Sequence, residues 1–61
     1  MNLIDEWKRV PNGDEITLVD VHGTEIIHII KRGSFAGVVR RLTEHVPEED
    51  ILSDRWRWRV R

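Results

Sequence analysis

The chemistry that this sequence concentrates most clearly is cationic, and it lies at the C-terminus. The last seven residues alternate arginine with apolar side chains in the order Arg-Trp-Arg-Trp-Arg-Val-Arg. Guanidinium groups donate paired hydrogen bonds that match carboxylates and phosphates. The segment could therefore bind an acidic protein surface or the phosphates of a nucleic acid. The candidate binding residues in it are Arg55, Arg57, Arg59 and Arg61.

A β-strand would separate these two kinds of residue completely. Successive side chains of a strand point to opposite faces, so the arginines would share one face while Trp56, Trp58 and Val60 share the other. We expect the apolar face to join the core, because each tryptophan buries a large area that so short a chain needs. The arginine face has two interpretations. It binds a partner, or its cations form ion pairs with neighbouring strands and keep strand edges of different molecules apart.

A second basic pair, Lys31 and Arg32, precedes Gly33 and Ser34 at the predicted start of a helix. Exposed N–H groups at a helix start attract anions, so we include Lys31 and Arg32 among the candidates for binding a partner or polyanion. The segment lacks the Gly-Lys-Ser/Thr order of a phosphate-binding P-loop, and an ordinary strand-to-helix turn is the alternative interpretation.

The sequence gives little support for catalysis or for metal binding. The chain has no cysteine, and its histidines at positions 22, 28 and 45 do not match a metal-binding spacing. Ser34 suits a helix cap and Ser53 a turn, and local spacing places no histidine beside either of them. We therefore predict a protein that is not an enzyme and that uses neither a metal nor another cofactor.

Charge is distributed unevenly along the chain, although the net charge is only −1. Residues 1–30 contain two basic and six acidic residues, a net charge of −4. Residues 31–61 contain eight basic and five acidic residues, a net charge of +3. This asymmetry fits a basic binding face, and it fits equally an attraction between the two halves, within one molecule or between two copies.

Two helices are predicted from their caps and apolar spacing. Asn2 is a suitable cap for a short helix over residues 3–9, and Pro11 disfavours its continuation. A longer helix is predicted over residues 34–46, where Ser34 is the cap and Pro47 the stop. Its apolar stripe consists of Phe35, Val38, Val39, Leu42 and Val46.

A hairpin is predicted between the two helices. Residues 15–21 and 24–31 are rich in β-branched residues and flank His22-Gly23, which suits a two-residue turn. The register that this turn sets pairs Val21 with Thr24, Leu18 with Ile27 and Ile16 with Ile29. One face of the hairpin is then wholly apolar and the other is partly apolar. We expect the second face to be covered by the N-terminal helix or by another subunit.

With the terminal strand, the element order is α-β-β-α-β, and residues 1–61 form one small α+β domain. The sheet is three-stranded and mostly antiparallel, with one main helix packed on it and a short N-terminal helix. We place the last strand beside the first, because antiparallel neighbours are the commoner arrangement. The predicted strand order across the sheet is therefore second, first, last.

The expected function is binding. We predict a small regulator or inhibitor that docks on a larger protein and forms a homodimer, and its size is typical of proteins encoded by phages or mobile elements. The alternative is a nucleic-acid-binding protein that uses the C-terminal arginines. No apolar run reaches the ~20 residues needed to cross a bilayer, and no signal-peptide pattern starts the chain, so we expect a cytoplasmic protein without a membrane partner.

Overall fold

The computed structural model describes residues 2–60, in which a three-stranded sheet carries helices on one face. The element order is α-β-β-α-β, with one short 3-10 turn before the last strand, so the predicted α+β fold is confirmed. No helix within residues 2–60 is long and apolar enough to cross a membrane. The elements are α1 Leu3–Arg9, β1 Glu15–Asp20, β2 Glu25–Ile30, α2 Phe35–Thr43, the turn Glu48–Asp50 and β3 Trp56–Val60.

The helix starts follow from their capping residues. The Asn2 side chain accepts a hydrogen bond of 3.0 Å from the Asp5 N–H, which satisfies one of the unpaired donors at the start of α1. Ser34 occupies the cap position of α2, as predicted, but its side chain makes no capping hydrogen bond. The second helix ends at Thr43, three residues before the predicted end. In the turn that follows, the N–H groups of His45 and Val46 both donate to the Leu42 carbonyl, at 2.9 and 2.7 Å.

The predicted strand order and orientation are confirmed. Strand β1 lies in the centre and pairs antiparallel with β2 on one side and β3 on the other. Leu18 faces Ile27 in β2, as the predicted register requires, and Trp58 in β3. The arginine and tryptophan segment is therefore an edge strand whose two faces separate as the alternation predicts.

The predicted two-residue hairpin turn is wrong, and the loop spans residues 21–24 instead. The Asp20 carboxylate accepts hydrogen bonds from the N–H groups of His22 at 2.8 Å and Thr24 at 2.9 Å, which stabilises the wider loop. Val21 is 68% exposed and does not pair with Thr24 in the sheet. The register also shifts between Leu18 and Val19, so one residue of β2 bulges out of the ladder.

The Asp20 loop predicts acid sensitivity. The pKa of Asp20 is lowered, chiefly by the hydrogen bond from the Thr24 N–H and further by the amide and charge of His22, while desolvation acts in the opposite direction. A pKa lowered in the folded state contributes stability that is present above the unfolded pKa and is lost as pH falls through the folded pKa. Stability should therefore fall when pH drops below the ordinary value of 3.8.

The measurement is the urea midpoint at about pH 6 and about pH 2.5 for the wild type and for Asp20→Asn, whose amide oxygen still accepts both bonds but does not titrate. The midpoint of Asp20→Asn should fall less on acidification than that of the wild type. Glu49→Gln, a change at an exposed carboxylate, is the matched control and should keep the wild-type pH dependence. An Asp20→Asn variant with the full wild-type pH dependence would contradict the assignment.

Both helices pack on the same face of the sheet. Trp7 of α1 lies 5.7 Å from the Trp58 ring and 6.0 Å from the Phe35 ring of α2, measured between ring centres. Of the two covers expected for the second face of the hairpin, the N-terminal helix is therefore wrong, because its apolar residues Leu3 and Trp7 belong to the core between the sheet and the second helix. The buried core residues are Leu3, Trp7, Val10, Ile16, Leu18, Ile29, Val38, Leu42, Val46, Ile51 and Trp58.

Candidate functional site

The face of the sheet opposite the helices, which we call the open face, carries the strand arginines. Residues that pair directly across antiparallel strands share a face, so the register assigns each side chain. Val19 lies between Arg57 and Glu25, and Thr17 lies between Arg59 and His28. The open face thus comprises Arg57 and Arg59 from β3, Glu15, Thr17 and Val19 from β1, and Glu25, His28 and Ile30 from β2.

The central strip of the open face is buried without a covering layer. Thr17 is 5% exposed and Val19 4% exposed. Arg59 Nη2 lies 2.9 Å from Glu25 Oε2, so this ion pair joins the two outer strands over β1. Strands β2 and β3 are ~10 Å apart. The side chains of Arg59 and Glu25 are long enough to meet across that distance, and their aliphatic parts cover the apolar surface of β1 beneath them. The open face therefore shields its own centre, and neither a helix nor another subunit is needed for that purpose.

The bulge in β2 makes this ion pair possible. In an unbroken register Val19 would face Ile26, and Glu25 would lie on the core side of the sheet. The shift after Leu18 places Glu25 opposite Val19 instead. A slip of one residue moves a side chain to the other face of a sheet, and here it brings a carboxylate to the open face within reach of Arg59.

The arginines of β3 have different environments. Arg59 is paired with Glu25, whereas Arg57 is exposed and has no ion-pair or side-chain hydrogen-bond partner within residues 2–60. The Arg59 and Glu25 side chains are 55% and 62% exposed, and exposed pairs contribute only about 0.2–1 kcal/mol, so a partner could displace this pair at small cost. Arg61, the fourth predicted arginine, lies outside the described residues.

The other three candidate residues lie elsewhere. Arg55 precedes β3, and its Nη1 is 3.7 Å from Asp50 Oδ2. Lys31 lies on the helix side, where its Nζ is 5.4 Å from the centre of the Trp7 ring, a cation–π contact. Arg32 lies beside the far edge of the sheet, next to β2. The structure therefore brings Arg57 and Arg59 together, with Arg55 at the end of the same strand, and does not bring Lys31 and Arg32 to them.

A groove of about 640 Å³ follows β3 from the hairpin loop. Arg55, Arg57 and Arg59 contribute its cations, and Val19 and the exposed Val21 contribute apolar surface. The alternation of the sequence identified the cations. It missed Val21, because the predicted turn placed that residue within the sheet. Among residues 2–60, no three histidine, aspartate or glutamate side chains come together in a way that could hold a metal ion.

Comparison of the chain with protein-family models, with curated proteins and with solved structures yields no match. The functional argument therefore depends on the surface of this chain alone.

Proposed function

We propose that this protein is a small non-enzymatic binding module that docks on a larger protein through the open face and regulates or inhibits it. The observation that carries the proposal is Arg57, an exposed residue without an ion-pair partner in residues 2–60, beside a groove to which the exposed Val21 contributes apolar surface. Arginine is enriched at protein interfaces and among the residues that dominate their binding energy. The expected ligand of Arg57 is a carboxylate on the partner, bordered by apolar side chains.

The alternative proposal is nucleic-acid binding by the arginines of β3. The acidic residues of the open face argue against it, because Glu15 and Glu25 would repel a phosphate backbone. Arg59 and Arg55 already form ion pairs with carboxylates. Among the C-terminal arginines within residues 2–60, Arg57 could therefore contact a phosphate without first losing an ion pair. A mixed surface of this kind favours a protein partner over a polyanion.

We further propose that the protein acts in the cytoplasm as a homodimer and that it is an accessory protein of the kind encoded by phages and mobile elements. Two features support the homodimer. A chain of 61 residues has little core, and its halves carry opposite charge.

Replacing Arg57 with glutamate should abolish docking while leaving the fold intact. The probe is affinity capture from nuclease-treated host lysate, quantified by mass spectrometry for the wild type, Arg57→Glu and Arg9→Glu. Arg9 is an exposed cation on the helix side, so its variant has the same change in net charge. A protein that docks on the open face should be retained by Arg9→Glu and reduced at least about tenfold by Arg57→Glu.

Two outcomes contradict this proposal. If capture does not depend on Arg57, the open face is not the docking surface. If the wild type instead binds labelled DNA or RNA at about 50 mM salt, and that binding is lost in Arg57→Glu and falls steeply with salt, the nucleic-acid alternative replaces the protein partner. Far-ultraviolet circular dichroism of both variants checks that each remains folded.

A further inference from the structure

We propose that two copies of this chain associate through the outer edge of β2 and form one continuous antiparallel sheet. This inference rests on the proposed homodimer and specifies its contact. Among residues 2–60, strand β2 pairs with β1 on one side and has no strand on the other. Its other edge therefore presents backbone N–H and C=O groups that can pair with a further strand.

The direction of these backbone groups follows from one hydrogen bond. The Lys31 N–H donates to the carbonyl of Asp14, the residue before β1, at 2.9 Å, so it points toward β1. Backbone groups alternate in direction along a strand, so Ile29 also faces β1 while His28 and Ile30 face outward. Within residues 2–60, neither of these outward N–H groups has a hydrogen-bond acceptor.

The opposite edge of the sheet is blocked. Glu6 of α1 accepts a hydrogen bond of 2.7 Å from the outward N–H of Trp58. Strand β3 also carries arginines at alternate positions, and charged side chains on an edge oppose pairing between molecules. Strand β2 is less protected, since four of its six residues are isoleucines, it has neither lysine nor proline, and its one carboxylate, Glu25, is paired with Arg59 across the sheet. The asymmetry between the two edges indicates that β2 is the edge kept available for pairing.

The surface beside this edge is complementary to itself. Arg41 and Glu44 of the second-helix region line the groove along Ile27 and Ile29. They are three residues apart and lie on the same side of the helix. A two-fold axis makes the two helices antiparallel, and an axis level with the midpoint between Arg41 and Glu44 sets each arginine against the glutamate of the other copy. This reciprocal match of opposite charges is the reason to assign the edge to a second copy.

The pairing register follows from the same geometry. A two-fold axis at Ile29 pairs His28 of each copy with Ile30 of the other, and such a pair exchanges both of its N–H···O bonds. Ile30 is 42% exposed in the single chain and would be covered by the second copy. The two β3 strands would then lie at the outer edges of the sheet, ~24 Å apart, with their arginines on the same continuous open face.

A charge placed on the β2 edge should dissociate the dimer. Sedimentation velocity should show the wild type at twice its mass of 7.3 kDa. Ile30→Lys should raise the dissociation constant at least about tenfold. The matched control is Val60→Lys on the other outer strand, because Val60 is 48% exposed, and it should leave the dissociation constant within about twofold.

A charge exchange tests the helix contact independently. Arg41→Glu should weaken the dimer, and the double change Arg41→Glu, Glu44→Arg should restore it, because the opposite charges again face each other. Hydrogen exchange should show His28 and Ile30 amides protected in the concentrated wild type and unprotected in Ile30→Lys.

The remaining outcomes overturn the inference in distinguishable ways. A wild type that is monomeric at about 1 mM removes the homodimer and leaves the Arg57 docking proposal standing, because that proposal has its own variants. A dimer dissociated by Val60→Lys, or unaffected by Ile30→Lys, places the contact elsewhere. If the protein is a monomer and its His28 amide becomes protected only when the Arg57-dependent partner is added, the β2 edge pairs with a strand of that partner instead.

Discussion

Replacing Trp58 with alanine is expected to lower the free energy of unfolding by about 3–5 kcal/mol. Trp58 is 6% exposed and contacts the Trp7 ring, and its Nε1 donates a hydrogen bond of 3.2 Å to the Leu3 carbonyl. Trp58 therefore connects the last strand to the first helix, although the two are 55 residues apart in sequence. The total stability of a domain of this length is roughly 3–9 kcal/mol, so much of the variant should be unfolded at room temperature.

Urea titration followed by far-ultraviolet circular dichroism measures this loss, and the two tryptophans of β3 give a matched comparison. Trp58→Phe keeps a ring but removes the hydrogen bond to the Leu3 carbonyl and leaves unfilled space in the core, so it should cost about 1–3 kcal/mol. Trp56 Nε1 is buried without a hydrogen-bond partner in residues 2–60. Trp56→Phe removes that unsatisfied donor and should stay within about 1 kcal/mol of the wild type. Equal losses for both phenylalanine variants would contradict this account of the two rings.

The strand faces could be predicted because they depend on local alternation alone. Trp58 points to the core because the arginines on both sides of it must point the other way. The side on which α1 packs could not be predicted in this way, since both faces of the hairpin carry apolar residues. That side is determined by the contacts of Trp7 with Phe35 and Trp58, which are remote in sequence.

The open face shows the same division between what the sequence predicts and what it does not. Alternation predicted that Arg57 and Arg59 share a surface, and it is confirmed by their register. Which of them is paired depends on the bulge that moves Glu25 to the open face, and the bulge accompanies a loop shaped by the Asp20 carboxylate. The wider turn, the shifted register and the ion pair of Arg59 occur together in the structure, and none of them follows from the alternation of residues along one strand.

Replacing Glu6 with alanine is expected to have the second largest effect on stability and to expose the edge of β3. The Glu6 carboxylate accepts the Trp58 N–H at 2.7 Å in a half-buried position. Hydrogen bonds to charged groups contribute about 1.5–3 kcal/mol, so the free energy of unfolding should fall by that amount. The uncovered N–H would also offer β3 to other molecules, and static light scattering should show association that grows with concentration.

Two further variants separate the hydrogen bond from the effect of charge at the start of the helix. Glu6→Gln retains an acceptor oxygen and should lose less stability than Glu6→Ala, with little added association. Asp5→Ala removes an exposed carboxylate from the same helix turn and should cost only the helix-dipole contribution of about 0.3–1 kcal/mol. If Asp5→Ala and Glu6→Ala are equally destabilising and neither associates, the carboxylate of Glu6 does not protect the strand edge. The difference in protection between the two edges, on which the assignment of β2 as the pairing edge depends, would then disappear as well.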